Sequence, residues 1–452
     1  DGVFQRRIVD VVDLFCREFA AVLLHYLNVH FFKQRKQPHS LICACAKWEN
    51  QGQRKGQKFE FFHIKSVKCL FLYILVAPFA NPIVKVIKMQ VEIKMQIRNI
   101  LICPDKLKGG LSSSSVASAI KEGLQDYIFN RDENNSIFSR SPKITAVEMA
   151  DGGDGSAWLF RKLCQEKGER GGRVRDIECL VTGPLGNTIK AGYVLYEKPD
   201  GESVAFVECA VACGLALVPE ERRNPLNTTT YGVGQLIRSA VESGASTVYI
   251  GVGGSSSNDC GLGMLQGLGF SVGLPEGVLA CGRVLASAGR VEEPSDKSFM
   301  ARLSRVKFII INDVDNPLCG PQGAAMTYSP QKGADRKMAE MLDEEALRFL
   351  SRCGRTSLSK TGANEAALFP GAGTAGGMGF ALIHFLGAGS IGGFRFFGEE
   401  LQDIYSKIAE ADLVITGEGK VDSQVLQGKV VGGCCKGLSA AGSSAIDRKS
   451  VV

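Results

Sequence analysis

The sequence predicts an α/β fold built on a parallel sheet covered by helices on both faces. Three observations carry that reading. From residue 99 onward a short apolar strand, a loop of Gly, Asp, Asn and Ser, and a helix recur in that order. The 452 residues are 45% hydrophobic and 22% charged, which is enough for two domains and too apolar for a disordered chain. Glycine follows the loops: 50 of the 53 fall after residue 98.

The elements can be taken in order. Asn99-Ile-Leu-Ile-Cys103 reads as a strand running into Pro104-Asp-Lys-Leu-Lys-Gly-Gly110. Ser112 to Ser115 then offer N-caps to a helix with Val116, Ala119, Ile120 and Leu124 on one face. Thr247-Val-Tyr-Ile-Gly-Val252 leads into Gly253-Gly-Ser-Ser-Ser-Asn-Asp259 and a helix around Met264 and Leu265. Val306-Lys-Phe-Ile-Ile-Ile311 leads into Asn312-Asp-Val-Asp-Asn-Pro317. Leu413-Val-Ile-Thr416 leads into Gly417-Glu-Gly-Lys-Val-Asp422. In such sheets ligands bind beyond the carboxyl ends of the strands, where these loops fall.

The first 98 residues differ in character. They hold 16 Lys and Arg against 7 Asp and Glu, whereas the rest hold 37 against 40. The net charge of +6 therefore comes from a segment with no sustained period, and it does not indicate a nucleic-acid surface. The longest apolar run there, residues 69–80, ends at Asn81-Pro82 and is shorter than the roughly twenty residues a membrane helix needs. Residues 1–95 read as upstream or artefactual sequence, with Met95 as the natural start. An organellar targeting extension is the rival reading, disfavoured by the acidic residues and few serines. At the other end, residues 434–452 read as a low-information tail. Asp447-Arg-Lys-Ser-Val-Val452 matches the translation of a short-read sequencing adapter. The expectation is a chain that stops in mid-fold, leaves Val414 and Ile415 without cover, and is inactive as it stands.

The fifteen cysteines contain no C-x-x-C and match no zinc template, so they read as reduced thiols in a cytoplasmic protein. Beyond residue 98 the single histidine is His384, in the apolar run Phe380-Ala-Leu-Ile-His-Phe-Leu386, and it reads as a packed helical residue. A Ser-His-Asp or Cys-His hydrolase is hard to build from this set.

The loops suit phosphate. Consecutive glycines let backbone N–H groups approach an oxyanion, and a following helix N-terminus adds a favourable dipole. Carboxylates at Asp151, Asp154, Asp313, Asp315 and Asp422 would repel phosphate unless a divalent cation lay between. Lys108 and Lys332 could supply compact positive charge. There is no G-x-x-x-x-G-K-[ST]. One G-x-G-x-x-G occurs, at Gly371, Gly373 and Gly376, but it follows Leu368-Phe-Pro370 and reads as a tight loop entering the helix of Phe380.

Nine ordered blocks carry a resemblance. They are Ile102-Cys-Pro-Asp-Lys-Leu-Lys-Gly109, Met149-Ala-Asp-Gly-Gly-Asp-Gly155, Val181-Thr-Gly-Pro-Leu-Gly186, Asn224-Pro-Leu-Asn-Thr-Thr-Thr-Tyr-Gly232 and Gly251-Val-Gly-Gly-Ser-Ser-Ser-Asn-Asp259, followed by Asp313-Val-Asp-Asn-Pro317, Pro330-Gln-Lys-Gly333, Pro370-Gly-Ala-Gly373 and Ile415-Thr-Gly-Glu-Gly-Lys-Val-Asp-Ser-Gln424. Residues 96–433 resemble the bacterial-type glycerate kinase family, whose pattern departs mainly at Lys106-Leu107 and Asp154-Gly155-Ser156. The resemblance implies two α/β domains, one of them Rossmann-like with a parallel sheet and discontinuous, with the active site in the cleft between them. It implies phosphorylation of glycerate, leaning to 2-phosphoglycerate, with ATP and Mg2+, and no nucleic-acid or membrane partner.

Carried onto matching positions, the resemblance gives Lys108, Asp151, Asp313 and Asp315 as catalytic candidates. Gly253, Gly254, Ser255, Asn258, Gly417 and Gly419 are candidates for the phosphates, and Asp105, Asn316 and Lys332 for the substrate. Asp313, Asp315 and Asp422 are the candidate metal ligands. Which carboxylate is base and which binds metal stays open. Two alternatives also stand: a nicotinamide-dependent oxidoreductase of a small hydroxy acid, resting on the Gly371 motif, and an inactive nucleotide-binding remnant.

Overall fold

The computed structural model describes residues 72–73, 97–106, 111–129, 138–168, 171–418 and 429–440. The strands are β1 (Leu72–Tyr73), β2 (Ile97–Pro104), β3 (Phe138–Ala146), β4 (Arg173–Thr182), β5 (Thr188–Glu197), β6 (Ser203–Glu208), β7 (Thr247–Gly251), β8 (Lys307–Ile311), β9 (Gly389–Ile391) and β10 (Leu413–Gly417). The helices that bear on the site are α1 (Ser113–Phe129), α2 (Ser156–Gly168), α3 (Ala210–Cys213), α4 (Tyr231–Glu242), α5 (Leu262–Leu268), α6 (Ala324–Tyr328), α7 (Thr374–Leu386) and α8 (Val430–Ala440). The chain divides into two compact units, one of Asp1–Met149 with Gly398–Val452 and one of Ala150–Phe397.

The first unit carries a four-stranded parallel sheet in the order β1-β10-β2-β3. Alternation along β2 puts Ile100 and Ile102 on one face with Val116, Ile120 and Leu124 of α1 and with Leu413 and Ile415 of β10. The opposite face buries Cys103, which meets Cys434 of α8. The start of α1 is set by serines: Ser112 Oγ accepts from Ser115 N–H at 3.1 Å, and Ser113 Oγ donates to Pro104 O at 2.7 Å.

Three placements in this unit stand beside the expectations for the two ends of the chain. Val414 and Ile415 are 0% and 1% exposed, and Ile415 packs in one cluster with Val116, Ile120 and Leu124 of α1, so both are covered. Leu72 and Tyr73, inside the stretch read as extraneous, pair with Ile415 and Thr416. Residues 434–440, read as tail, are helical, with Cys434 and Leu438 buried.

The second unit carries a six-stranded sheet in the order β4-β5-β6-β7-β8-β9. From β6 to β9 it is parallel, as the strand–loop–helix repeat predicts. The β4-β5 and β5-β6 pairs are antiparallel, so the sheet is mixed rather than wholly parallel. Both faces are covered. Ala205 and Val207 of β6, Val248 and Ile250 of β7, and Phe308 and Ile310 of β8 join a core with Leu236 and Ile237 of α4 and Leu262 and Leu265 of α5. The alternate residues Phe206 and Tyr249 face an aromatic layer with Phe160 of α2 and Phe396. Tyr249 and Phe396 lie 4.4 Å apart between ring centroids.

Candidate active site

The carboxyl ends of β6, β7 and β8 stop at Glu208, Gly251 and Ile311, and the loops that follow pack on one another there. Glycine makes the close approach possible. A Cβ on Gly152 would lie 2.2 Å from Ile311 O, and one on Gly253 would lie 2.5 Å from Gly153 Cα. The 150–155 loop is thereby threaded between the ends of β7 and β8, and Gly253 N–H donates to Gly152 O at 3.0 Å.

This packing gathers the carboxylates. Asp151 Oδ1 accepts from Gly153 N–H at 3.0 Å, an Asx turn that holds the loop. Gly393 N–H donates to Asp313 Oδ1 at 2.6 Å, and a Cβ on Gly393 would sit 2.8 Å from Asp151 Cα. Asp151 and Asp313 are therefore brought to one place by a single glycine. Asp315 is exposed on the same 312–317 loop; with burial, its charge pushes the Tyr328 phenol up to about 12. Asn316 is tethered: its Oδ1 accepts from Tyr328 OH at 2.5 Å and its Nδ2 donates to Gln322 O at 2.7 Å.

The 253–258 loop is the second component. It is held from four sides: Gly253 N–H on Gly152 O, Leu215 N–H on Gly254 O, Ser256 N–H on Cys213 O and Lys332 Nζ on Ser257 O at 2.6 Å. Lys332 Nζ also donates to Ser255 Oγ at 3.1 Å. Gly254 sits at φ +77°, a left-handed conformation that glycine adopts without strain. The N–H groups of Gly254, Ser257 and Asn258 donate to nothing among the described residues. Donors of this kind in a glycine-serine loop are the groups an oxyanion would need. Lys332 lies in the 3₁₀ turn Pro330–Lys332 and is 2% exposed; burial pulls its ammonium down from the usual lysine range to about 8.

Two residues that sequence reasoning missed hold these loops. Glu208 ends β6 and is buried; its Oε1 accepts from Gly155 N–H at 3.2 Å and its Oε2 from Ala157 N–H at 2.9 Å. The carboxylate thus caps α2 and fixes the Asp151–Asp154 turn. Asp259, fully buried, accepts from Thr230 N–H, Thr230 Oγ1, Gly261 N–H and Gly263 N–H between 2.8 and 3.2 Å. Burial raises its carboxyl above the ordinary range in spite of those four bonds. The available signal was a carboxylate closing an apolar strand in one case and closing the serine loop in the other.

The Gly371 motif proves to be packing. It follows the helix Ala363–Leu368 rather than a strand, which removes the dinucleotide context. Cβ atoms on Gly371, Gly373 and Gly376 would lie 2.3, 2.3 and 2.1 Å from Asn312 Nδ2, Pro317 O and Ser257 O. His384 is packed within α7, its Nε2 2.8 Å from Gly354 O, as its apolar setting predicts.

In the first unit, Asp105 directly follows β2 and Gly417 ends the neighbouring β10, with Asp105 N–H donating to Gly417 O at 2.8 Å. Lys108, Gly419 and Asp422 lie outside the described residues. Among the described residues no group of three or more His, Cys, Asp and Glu side chains could hold a metal by itself. A Mg2+–nucleotide needs less, since one or two carboxylates and the phosphates suffice; the hard oxygens of Asp151 and Asp313 near the 253–258 loop fit that donor set. No helix among the described residues is long and apolar enough to cross a membrane.

The glycerate kinase family model matches residues 100–446. A glycerate kinase of Halalkalibacterium halodurans is 37% identical over 343 residues, covering 75% of this chain and 82% of the relative. A glycerate 2-kinase of Escherichia coli K12 is 37% identical over 334 residues, covering 73% and 79%. A crystal structure assigned provisionally to glycerate kinase 2 of Salmonella typhimurium LT2 aligns with a TM-score of 0.58 at 34% identity, covering 76% of this chain and 85% of that one. The chain belongs to the glycerate kinase family of phosphotransferases.

Proposed function

We propose that this chain transfers the γ-phosphoryl group of ATP to O2 of glycerate, yielding 2-phosphoglycerate and ADP. The observation that carries the reading is the 253–258 loop, with its unspent N–H donors and the Lys332 ammonium beneath it. Phosphoryl transfer asks mainly for positioned donors and countercharge, which this loop supplies. One of Asp151 and Asp313, with Asp315 and Asp422 as further candidates, would hold Mg2+, which would offset charge on the phosphates. Of the pair at Gly393, the carboxylate not engaged with metal takes the proton of the glycerate hydroxyl. That oxygen bonds to the γ-phosphorus as the bond to the ADP oxygen breaks.

Asn316 in the second unit and Asp105 in the first keep the substrate-binding assignment that the resemblance gives them; Lys332, also given to the substrate by the resemblance, is assigned to the phosphate loop instead. Lys108, Gly417 and Gly419 keep theirs toward phosphate. The reading extends to the cytoplasm, where the free cysteines of the described residues would stay reduced. ³¹P NMR of the product mixture tests the regiochemistry. A phosphorus coupled to the C2 proton supports the proposal, and one coupled to the C3 protons assigns the reaction to O3.

A further inference from the structure

A buried ammonium normally has a carboxylate beside it, because leaving the charge unmatched in a low-dielectric interior is costly. Lys332 has none within ion-pair distance among the described residues. Among the described residues its Nζ is engaged by one hydroxyl and one carbonyl, Ser255 Oγ and Ser257 O, which leaves one N–H over. The titratable groups that face it are Cys209 at the start of α3, Cys213 at its end, and Asp259 after the serine loop. Cys209 Sγ–H donates to Gly253 O, and Asp259 is already taken up by four donors from Thr230, Gly261 and Gly263. On its other side, Gly333 at φ +96° seats against Arg223 O, where a Cβ would lie at 2.1 Å, so the turn that delivers Lys332 is tightly placed. Two more buried polar atoms of the same loop, Ser257 Oγ and Asn258 Oδ1, have no hydrogen-bond partner among the described residues. The site is thus a fully buried cation, unspent N–H donors and two orphan side-chain atoms within one loop.

We propose that Lys332 is the countercharge of the 253–258 loop: a phosphate of the bound nucleotide supplies the negative charge that its ammonium lacks in the free protein, so that nucleotide binding and protonation of Lys332 are coupled. The inference rests on the reading of this loop as the phosphate cradle. The sign follows from electrostatics. Burial lowers the free protein's lysine to about 8, and an anion beside it favours the charged form and raises it again. Above pH 8 each binding event therefore takes one proton from solvent onto Nζ. Affinity falls with rising pH by up to about tenfold per unit until the bound-state value is passed. Near neutral pH Lys332 is already charged, and its contribution to proton uptake vanishes.

The test is calorimetric titration of the full chain with ADP at pH 8.5 in two buffers of different ionisation enthalpy, repeated with Lys332→Arg. Arginine stays charged at this pH, so it preserves the countercharge without titrating. Wild type should take up most of one proton per ADP, and Lys332→Arg should bind with uptake near zero. Binding by wild type without proton uptake would overturn the coupling and leave the cradle reading standing. Equal uptake by the arginine variant would likewise overturn it. Failure of wild type to bind ADP at all would overturn the cradle reading and the coupling together.

Discussion

Gly393 donates its N–H to Asp313 Oδ1 at 2.6 Å, and it can do so only because it has no side chain. The Cβ that any other residue would add falls 2.2 Å from Ala150 O and 2.8 Å from Asp151 Cα, so the two acidic loops would be forced apart. Gly393→Ala should lower kcat by about a hundredfold, the scale expected when reacting groups are displaced by an ångström. It should also cost about 1–3 kcal/mol of stability through overpacking. Steady-state kinetics with urea unfolding would read both. An active, stable alanine variant would separate Asp151 from Asp313 functionally.

Glu208 acts on the same turn from below. Glu208→Ala leaves Gly155 N–H and Ala157 N–H without their acceptor, and the loss of such a cap costs about 1–2 kcal/mol. Activity should fall with it, because Asp151 rides on the turn that Glu208 holds. Glu208→Gln should recover part of the stability, since one amide oxygen still accepts. Identical melting of the glutamine and alanine variants would count against a capping role.

The buried lysine predicts a stability profile. Its folded-state value of about 8 lies below the 10.5 of an exposed lysine, so between those pH values the unfolded chain binds more protons. Stability conferred at this site therefore rises as pH climbs from 8 to 10.5, and below 8 the cost of burying the charge is carried in full. Measured against Lys332→Met by urea unfolding, wild type should gain about 3 kcal/mol across that window. A difference between the two proteins that does not change with pH would contradict the assignment.

Lys108→Ala should leave the fold intact and lower kcat more than it raises KM, because a positive charge at a transferring phosphoryl group acts mainly in the transition state. The residue lies outside the described segments, and the expectation rests on the resemblance alone. Near-normal kcat in the variant would remove Lys108 from the catalytic set.

Much of this was legible in the sequence, and the reasons are local. β7, β8 and β10 are β-branched apolar runs closed by glycine or by Asn312, so their positions were readable to within a residue or so. The antiparallel β4 was not: Arg173, Arg175, Asp176 and Glu178 interrupt it on a largely solvated edge, and no strand–loop–helix repeat marks it. Asp151 and Asp313 stood out because glycines and turn residues frame them. Glu208 and Asp259 did not, since the hydrogen bonds that give them work reach across 51 and 29 residues. Nothing in Pro330-Gln-Lys-Gly333 foretells a buried ammonium. That property arises only when Gly333 seats on Arg223 and turns Lys332 under the serine loop.

If the 253–258 loop cradles the phosphates for transfer to glycerate, ADP release must depend both on glycerate and on the intact loop. ADP release would be followed with and without glycerate, in the presence of ATP and Mg2+, for wild type and for Gly254→Val. Valine is strained at φ +77°, and its Cβ would come within 3.0 Å of Asp154 Oδ1 and 3.4 Å of Ala210 Cβ, so the loop is disturbed at an exposed position. Wild type should release ADP in step with phosphoglycerate. Gly254→Val should show kcat/KM lower by about a hundredfold or more, on the scale of losing a transition-state donor, with unchanged far-UV circular dichroism. Glycerate-independent ADP release by wild type, or undiminished turnover by the valine variant, would contradict that dependence.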